Sequence, residues 1–121
     1  MHNYLELNVW IKARRLVKTI YQLTDSINQN QQYVLISQMQ RAALSIPSNI
    51  AEGAGRNTNK EFIRFLSIAN GSAFELETQL FLCVDLGYFK EEYINPVICD
   101  LKEIQKMIYR LSDSLNQNHD S

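Results

Sequence analysis

Apolar residues return at alternating steps of three and four along nearly the whole of this chain, the period of an α-helix rather than a strand. Val9, Ala13, Leu16, Ile20, Leu23 and Ile27 form a first stripe, opened by Asn8 as a candidate N-cap. Ile36, Met39, Ala43, Ile46, Ile50 and Ala54 form a second. Phe62, Phe65, Leu66, Ala69, Ala73, Leu76, Leu80 and Cys83 form a third, and Ile94, Val97, Leu101, Ile104, Ile108, Leu111 and Leu115 a fourth. With 4 Gly and 2 Pro in 121 residues, long stretches run without a helix breaker. The pattern predicts one domain, 1–121, with helices at about 9–27, 33–54, 59–86 and 92–115 in an all-α, antiparallel, up-and-down four-helix bundle.

The joints have their own signals. The polar run Asn28 to Gln32 reads as a loop, and Thr58-Asn59-Lys60-Glu61 as a capping box opening the third helix. Gly87 closes that helix, and the polar tail Asn116 to Ser121 reads as frayed. Pro47 falls inside the second stripe without disturbing its phase. The second helix is therefore expected to be continuous, kinked at Pro47, and to end at Gly53 to Gly55.

Composition narrows the function classes. A chain 45% hydrophobic and 21% charged can bury a core, and a net charge of −1 does not point to a strongly basic nucleic-acid binder. The longest apolar run, LFLCV, is far too short to span a membrane, and MHNYLELNVW lacks the pattern of a signal peptide. A cytoplasmic protein without membrane partners is expected. Cys83 and Cys99 fit neither a CxxC motif nor a disulfide framework, and read as buried, reduced residues.

Catalytic constellations are missing from the pattern. His2 and His119 lie in the tails, which leaves no histidine in the body as a general base. No Glu-x-x-His occurs for a di-iron bundle, Gly53 and Gly55 make no phosphate loop, and Glu75 and Glu77 point in different directions. The chain reads as non-enzymatic, with no catalytic residue, metal or cofactor.

The second helix carries a further pattern. Gln38, Arg41, Ser45, Ser48 and Glu52 recur at helical spacing away from the apolar stripe, flanked by Asn49 and Arg56. A solvated face is usually rich in lysine and glutamate, whereas this one has no lysine and many short hydroxyls and amides. Leu35, Ala42, Leu44 and Ala51 narrow it further, so the row reads as a packed, hydrogen-bonded surface more than as a solvated one. Folding the second helix on the third places Arg41 opposite Ser72, near Glu75, and an Arg41–Glu75 ion pair, within or between subunits, is expected.

The same residues carry a resemblance. Gln38, Arg41, SIPSNIAEG (45–53), Arg56, the Phe62–Phe65–Leu66 face, IANGS (68–72) and ELE (75–77) resemble the four-helix bundle family of the 23S rRNA intervening-sequence proteins. The Val9-Trp10 opening and LGY (86–88) do so too. The resemblance implies a homopentamer around a central channel. It also implies kinship with the accessory variability protein of diversity-generating retroelements, which binds RNA and a reverse transcriptase. On this reading Gln38, Arg41, Ser45, Pro47, Ser48, Asn49, Glu52, Arg56 and Glu75 are structural or lie at the oligomer interface. RNA, a reverse transcriptase or another protein are the partners implied. Two departures stand out: the loop at 28–32 lacks the proline usual there, and the chain is not strongly basic as the nucleic-acid-binding relatives are.

Two basic rows are the candidates for contact with RNA. Lys12, Arg15 and Lys18, with Arg14 nearby, share a side of the first helix and have acidic neighbours only at its ends. Lys102, Lys106 and Arg110 line the fourth, where Asp100 and Glu103 are expected to neutralise them. Trp10 and Tyr21 read as buried aromatics. The alternative class is an oligomeric scaffold that binds a protein partner and no nucleic acid.

Overall fold

The computed structural model describes residues 1–26 and 29–117, and the side chains of all these except 29–31. A short 3-10 turn, Tyr4–Glu6, leads into α1 (Asn8–Asp25), α2 (Gln29–Ala54), α3 (Asn59–Asp85) and α4 (Glu91–Gln117). Each helix packs on the next and α1 closes on α4, with α2 and α3 sharing the most extensive seam. This is an all-α four-helix bundle, and the described residues contain no strand.

The stripes become the core. Every member of the second stripe is buried, from Ile36 at 3% exposure to Ala54 at 0%. The third is buried but for half-covered Phe65, and the fourth but for half-covered Leu111. The first departs from expectation at its end: Thr24 is wholly buried, Leu23 only partly, and Ile27 lies outside the described residues. Thr24 lies one residue beyond Leu23 on the helix and satisfies its hydroxyl by donating to Ile20 O at 2.8 Å.

The joints explain where helices stop. Thr58 Oγ1 accepts from the Glu61 amide at 3.2 Å, capping α3. At the other end Gly87 adopts φ 77°, while Tyr88 N donates to Cys83 O at 2.8 Å and Gly87 N to Val84 O at 3.0 Å. That pair is a Schellman closure, and its left-handed residue favours glycine. Asn8, expected as an N-cap, is instead the first residue of α1; Leu7 holds the cap position without a side-chain bond.

The helix is continuous through Pro47 as the preserved phase predicts, but the kink recorded within α2 falls at Gln32 and not at the expected Pro47. The non-helical residue inside α2 is Gln32 (φ −118°, ψ 19°), at the point where the polar loop was expected to end. Helix begins at Gln29, within that expected loop, and α4 continues to Gln117, so Asn116 and Gln117 are not frayed. His119 and the rest of the tail lie outside the described residues. Cys83 is buried with its Sγ 3.4 Å from Met39 Sδ, and burial pushes its thiol up to about 11. Cys99 is exposed, contrary to expectation, because it falls on the outer side of α4 beside Asp100. Tyr21 is likewise 40% exposed.

Candidate functional site

The polar row of α2 divides between two environments. Ser45 turns toward α3, where its Oγ lies 2.8 Å from Ser72 Oγ. Asn49 Nδ2 donates to Ser45 O at 2.8 Å and to Ser45 Oγ at 2.9 Å, so the hydroxyl is held from its own helix and from its neighbour. One turn on, Gly53 makes the closest approach: a Cβ there would sit 2.7 Å from Phe65 Cβ and 2.9 Å from Phe62 Cδ1. Glycine is required here by space rather than by backbone angle. At the helix end Arg56 Nη2 donates to Glu52 Oε1 at 3.0 Å, and its guanidinium lies 4.7 Å from the Phe65 ring centre.

The rest of the row faces outward. Gln38, Arg41, Ser48 and Glu52 are exposed, while Pro47 turns to the α1 side, beside Trp10 and Leu44. The seam register differs from the expected one. Ser45, not Arg41, stands opposite Ser72, a shift of about one helical turn. The expected Arg41–Glu75 ion pair does not form within the chain. The pairs among the described residues are Lys12–Asp100, Arg56–Glu52 and Lys102–Glu77, and Glu75 instead accepts from Gln79 Nε2 at 3.3 Å.

The α1 basic row is partly spent inside the chain. Lys12 Nζ reaches Asp100 Oδ1 of α4 at 3.5 Å, and Arg14 lies over the half-buried Trp10 ring at 5.5 Å. Tyr4 packs edge-on to the same ring at 5.0 Å. Arg15 and Lys18 are exposed, with no ion-pair partner among the described residues.

A carboxylate that sequence reasoning passed over organises the α3–α4 side. The Glu77 side chain is only 14% exposed. It accepts from Gln105 Nε2 at 2.8 Å and from Lys102 Nζ at 3.1 Å. These bonds, Gln105 first and then Lys102, hold its carboxyl below the ordinary value of 4.5 against the opposing effect of burial. Asn70, Phe74, Glu77 and Phe81 follow at steps of four and three along α3, which is the signal that could have revealed a second functional row.

Among the described residues no group of three or more His, Cys, Asp and Glu could hold a metal ion, and no helix is long and apolar enough to cross a membrane. No curated protein matches the chain. A crystal structure of a protein of unknown function, from the S23 ribosomal protein family of Bacteroides thetaiotaomicron, is similar with a TM-score of 0.78 and 27% identity. The match covers 86% of this chain and 97% of that one. The 23S rRNA-intervening sequence protein family matches residues 5–110. With that span, the bundle and the SIPSNIAEG helix in agreement, the chain belongs to the 23S rRNA-intervening sequence protein family.

Proposed function

We propose that the protein is a non-enzymatic, self-associating bundle, a homopentamer, that works by presenting a repeated surface to a partner. The observation that carries this reading is an uncovered apolar band beside the α2–α3 seam. Val34 is 74% exposed, Leu86 57% and Leu82 42%. Val34, Leu82 and Leu86 also border one groove between these two helices, close to exposed Gln38. Contiguous exposed apolar side chains mark contact surfaces, and a second copy of the chain is the occupant that the family resemblance favours.

Light scattering on the purified protein tests it, with the mass of a pentamer expected. Val34→Glu with Leu86→Glu should lower that mass without loss of helix, since both side chains are exposed. Ser48→Arg should act in the same sense. A wild-type protein that runs as a monomer overturns the reading.

RNA is the partner we infer, and the exposed pair Arg15 and Lys18 supports it. Fivefold repetition would build a ring of positive charge from two uncompensated cations per chain. Affinity for single-stranded or structured RNA should fall steeply with salt, and Arg15→Glu with Lys18→Glu should weaken binding and flatten that dependence at unchanged particle mass. Absence of RNA binding at low salt would leave a scaffold for a protein partner.

A further inference from the structure

Grooves run between each pair of neighbouring helices, and the one between α3 and α4 gathers Lys102, Lys106 and Arg110, where the α1–α2 groove has only Arg14, already stacked on Trp10. The α1–α4 groove is walled by Leu23, Phe89 and Val97, and the α2–α3 groove by Leu35, Leu82 and Leu86. The α3–α4 groove, of about 560 Å³, carries Lys102, Lys106 and Arg110 from α4, Asn70 and Phe74 from α3, and Tyr109.

Its charge is unanswered from within. Lys102, Lys106 and Arg110 follow at steps of four, so like charges stack on one helix face, an arrangement that works against the helix. Glu77 meets Lys102 alone. Asp100, expected to neutralise this row, reaches across to Lys12 instead. Among the described residues no carboxylate lies within ion-pair distance of Lys106 or Arg110. Asp113, the acid nearest Arg110 in sequence, accepts from Gln117 at 3.1 Å, and exposed Glu103 does not line the groove.

Two further features narrow the ligand. Tyr109 is 71% exposed and Phe74 53%, so two aromatic rings stand in water beside the unpaired cations. The Asn70 side-chain oxygen is buried without a hydrogen-bond partner, a state that a ligand or water would relieve. Cations alone suit any polyanion. Cations beside open aromatic faces and an unsatisfied amide suit a flat heterocycle that carries phosphate.

We propose that the α3–α4 groove is a nucleoside-phosphate site. Tyr109 and Phe74 take the base, Lys106 and Arg110 take the phosphate, and the Asn70 amide meets a polar edge of the base or sugar. Glu77 holds Lys102 and Gln105, which line the groove, in place. The site lies apart from Arg15 and Lys18 on α1, so it stands or falls independently of the RNA and assembly readings above.

The ligand has two sources, a free nucleotide or a nucleotide within a single strand of RNA, and one experiment separates them. Fluorescent ATP and a fluorescent short single-stranded RNA are titrated against the full chain between about 50 and 200 mM salt. Binding of ATP makes a free nucleotide sufficient; binding of the RNA alone, when it is weakened by Lys106→Glu with Arg110→Glu, assigns the site to a strand. In either case Tyr109→Ala should weaken binding by about 5- to 150-fold with its salt slope kept, the effect of losing one stacked base. Lys106→Glu with Arg110→Glu should weaken it and flatten the slope, while Arg15→Glu with Lys18→Glu should leave ATP binding unchanged. The Tyr109 and Phe74 rings and the Lys106 and Arg110 side chains are exposed, so helix content should hold in every variant. Neither probe binding, or binding indifferent to the Lys106 and Arg110 reversal, overturns the proposal. Binding indifferent to both Tyr109→Ala and Phe74→Ala overturns the nucleotide assignment.

Discussion

One side of α3 meets α2 through Ser72 and the Phe62 and Phe65 rings, and the other meets α4 through Glu77. The first seam is made of small neutral groups: a hydroxyl pair at 2.8 Å and a glycine without room for a methyl. The second is made of a largely buried carboxylate between Gln105 and Lys102, with an open groove beside it. Around Ser45 and Gly53 small neutral residues let the backbones approach, and that stretch of the seam leaves no room for a ligand. Long charged residues keep the helices' outer edges apart, and the space they leave is chemically usable. A single helix thus serves one neighbour for packing and the other for a site.

The largest effect expected from breaking this contrast is at Gly53. Gly53→Ala should gain up to about 1 kcal/mol in helix propensity, but its methyl meets Phe65 Cβ, which is fixed to the α3 backbone. The clash should win and leave the chain less stable by about 2 kcal/mol in a denaturant titration. A stability at or above wild type would show that the close approach is not what holds the seam.

Glu77→Ala should remove about 1–2 kcal/mol from the other seam, since the carboxylate loses charge-assisted bonds to partners that can return to water. The effect has a pH signature. Glu77's folded carboxyl lies below its ordinary 4.5, so its contribution is full above that value and is lost as pH falls through the folded pKa. Stability measured against pH should therefore decline less steeply on the acid side in Glu77→Ala than in wild type.

Ser72→Ala should cost about 0.5–1 kcal/mol, because Asn49 still satisfies Ser45. The smallest change is at Gly71, on the same helix, where no atom lies within 4 Å of a built Cβ. Gly71→Ala should raise stability by about 0.5 kcal/mol, opposite in sign to Gly53→Ala. Equal effects at the two glycines would abolish the distinction between a crowded and an open face of the bundle.

Apolar periodicity made the fold legible, and the second stripe is buried residue for residue. Placement of charged partners was not legible, because rotating a helix by one residue keeps an apolar stripe near the core but changes which neighbour its flanks meet. Asp100 shows this: along the chain it neighbours Lys102, yet in the bundle it points to α1 and meets Lys12. The Ser45–Ser72 register shows it again, offset by a turn from the pairing that Arg41 and Glu75 suggested. Small residues in SIPSNIAEG announced close packing correctly, but a helix that is apolar on several sides does not declare which side faces a neighbour in its own chain. Glu77 stayed hidden because a carboxylate beside a stripe looks like surface until its partners on α4 are known.

Thr24 is the one buried residue of α1 that is not apolar. Its hydroxyl donates to Ile20 O at 2.8 Å and accepts from Gln40 Nε2 of α2 at 3.1 Å. A core of methyl groups tolerates sliding, since one aliphatic contact replaces another with little loss. A buried oxygen does not: with its single proton committed to its own helix, it can only accept from outside, and a donor must stand at one height on the opposing helix. Gln40 at that height makes the first hairpin a keyed joint, in which valence rather than volume selects the alignment. Thr24→Val would keep the shape and remove the key, leaving the hairpin free to sample neighbouring alignments that the native chain excludes.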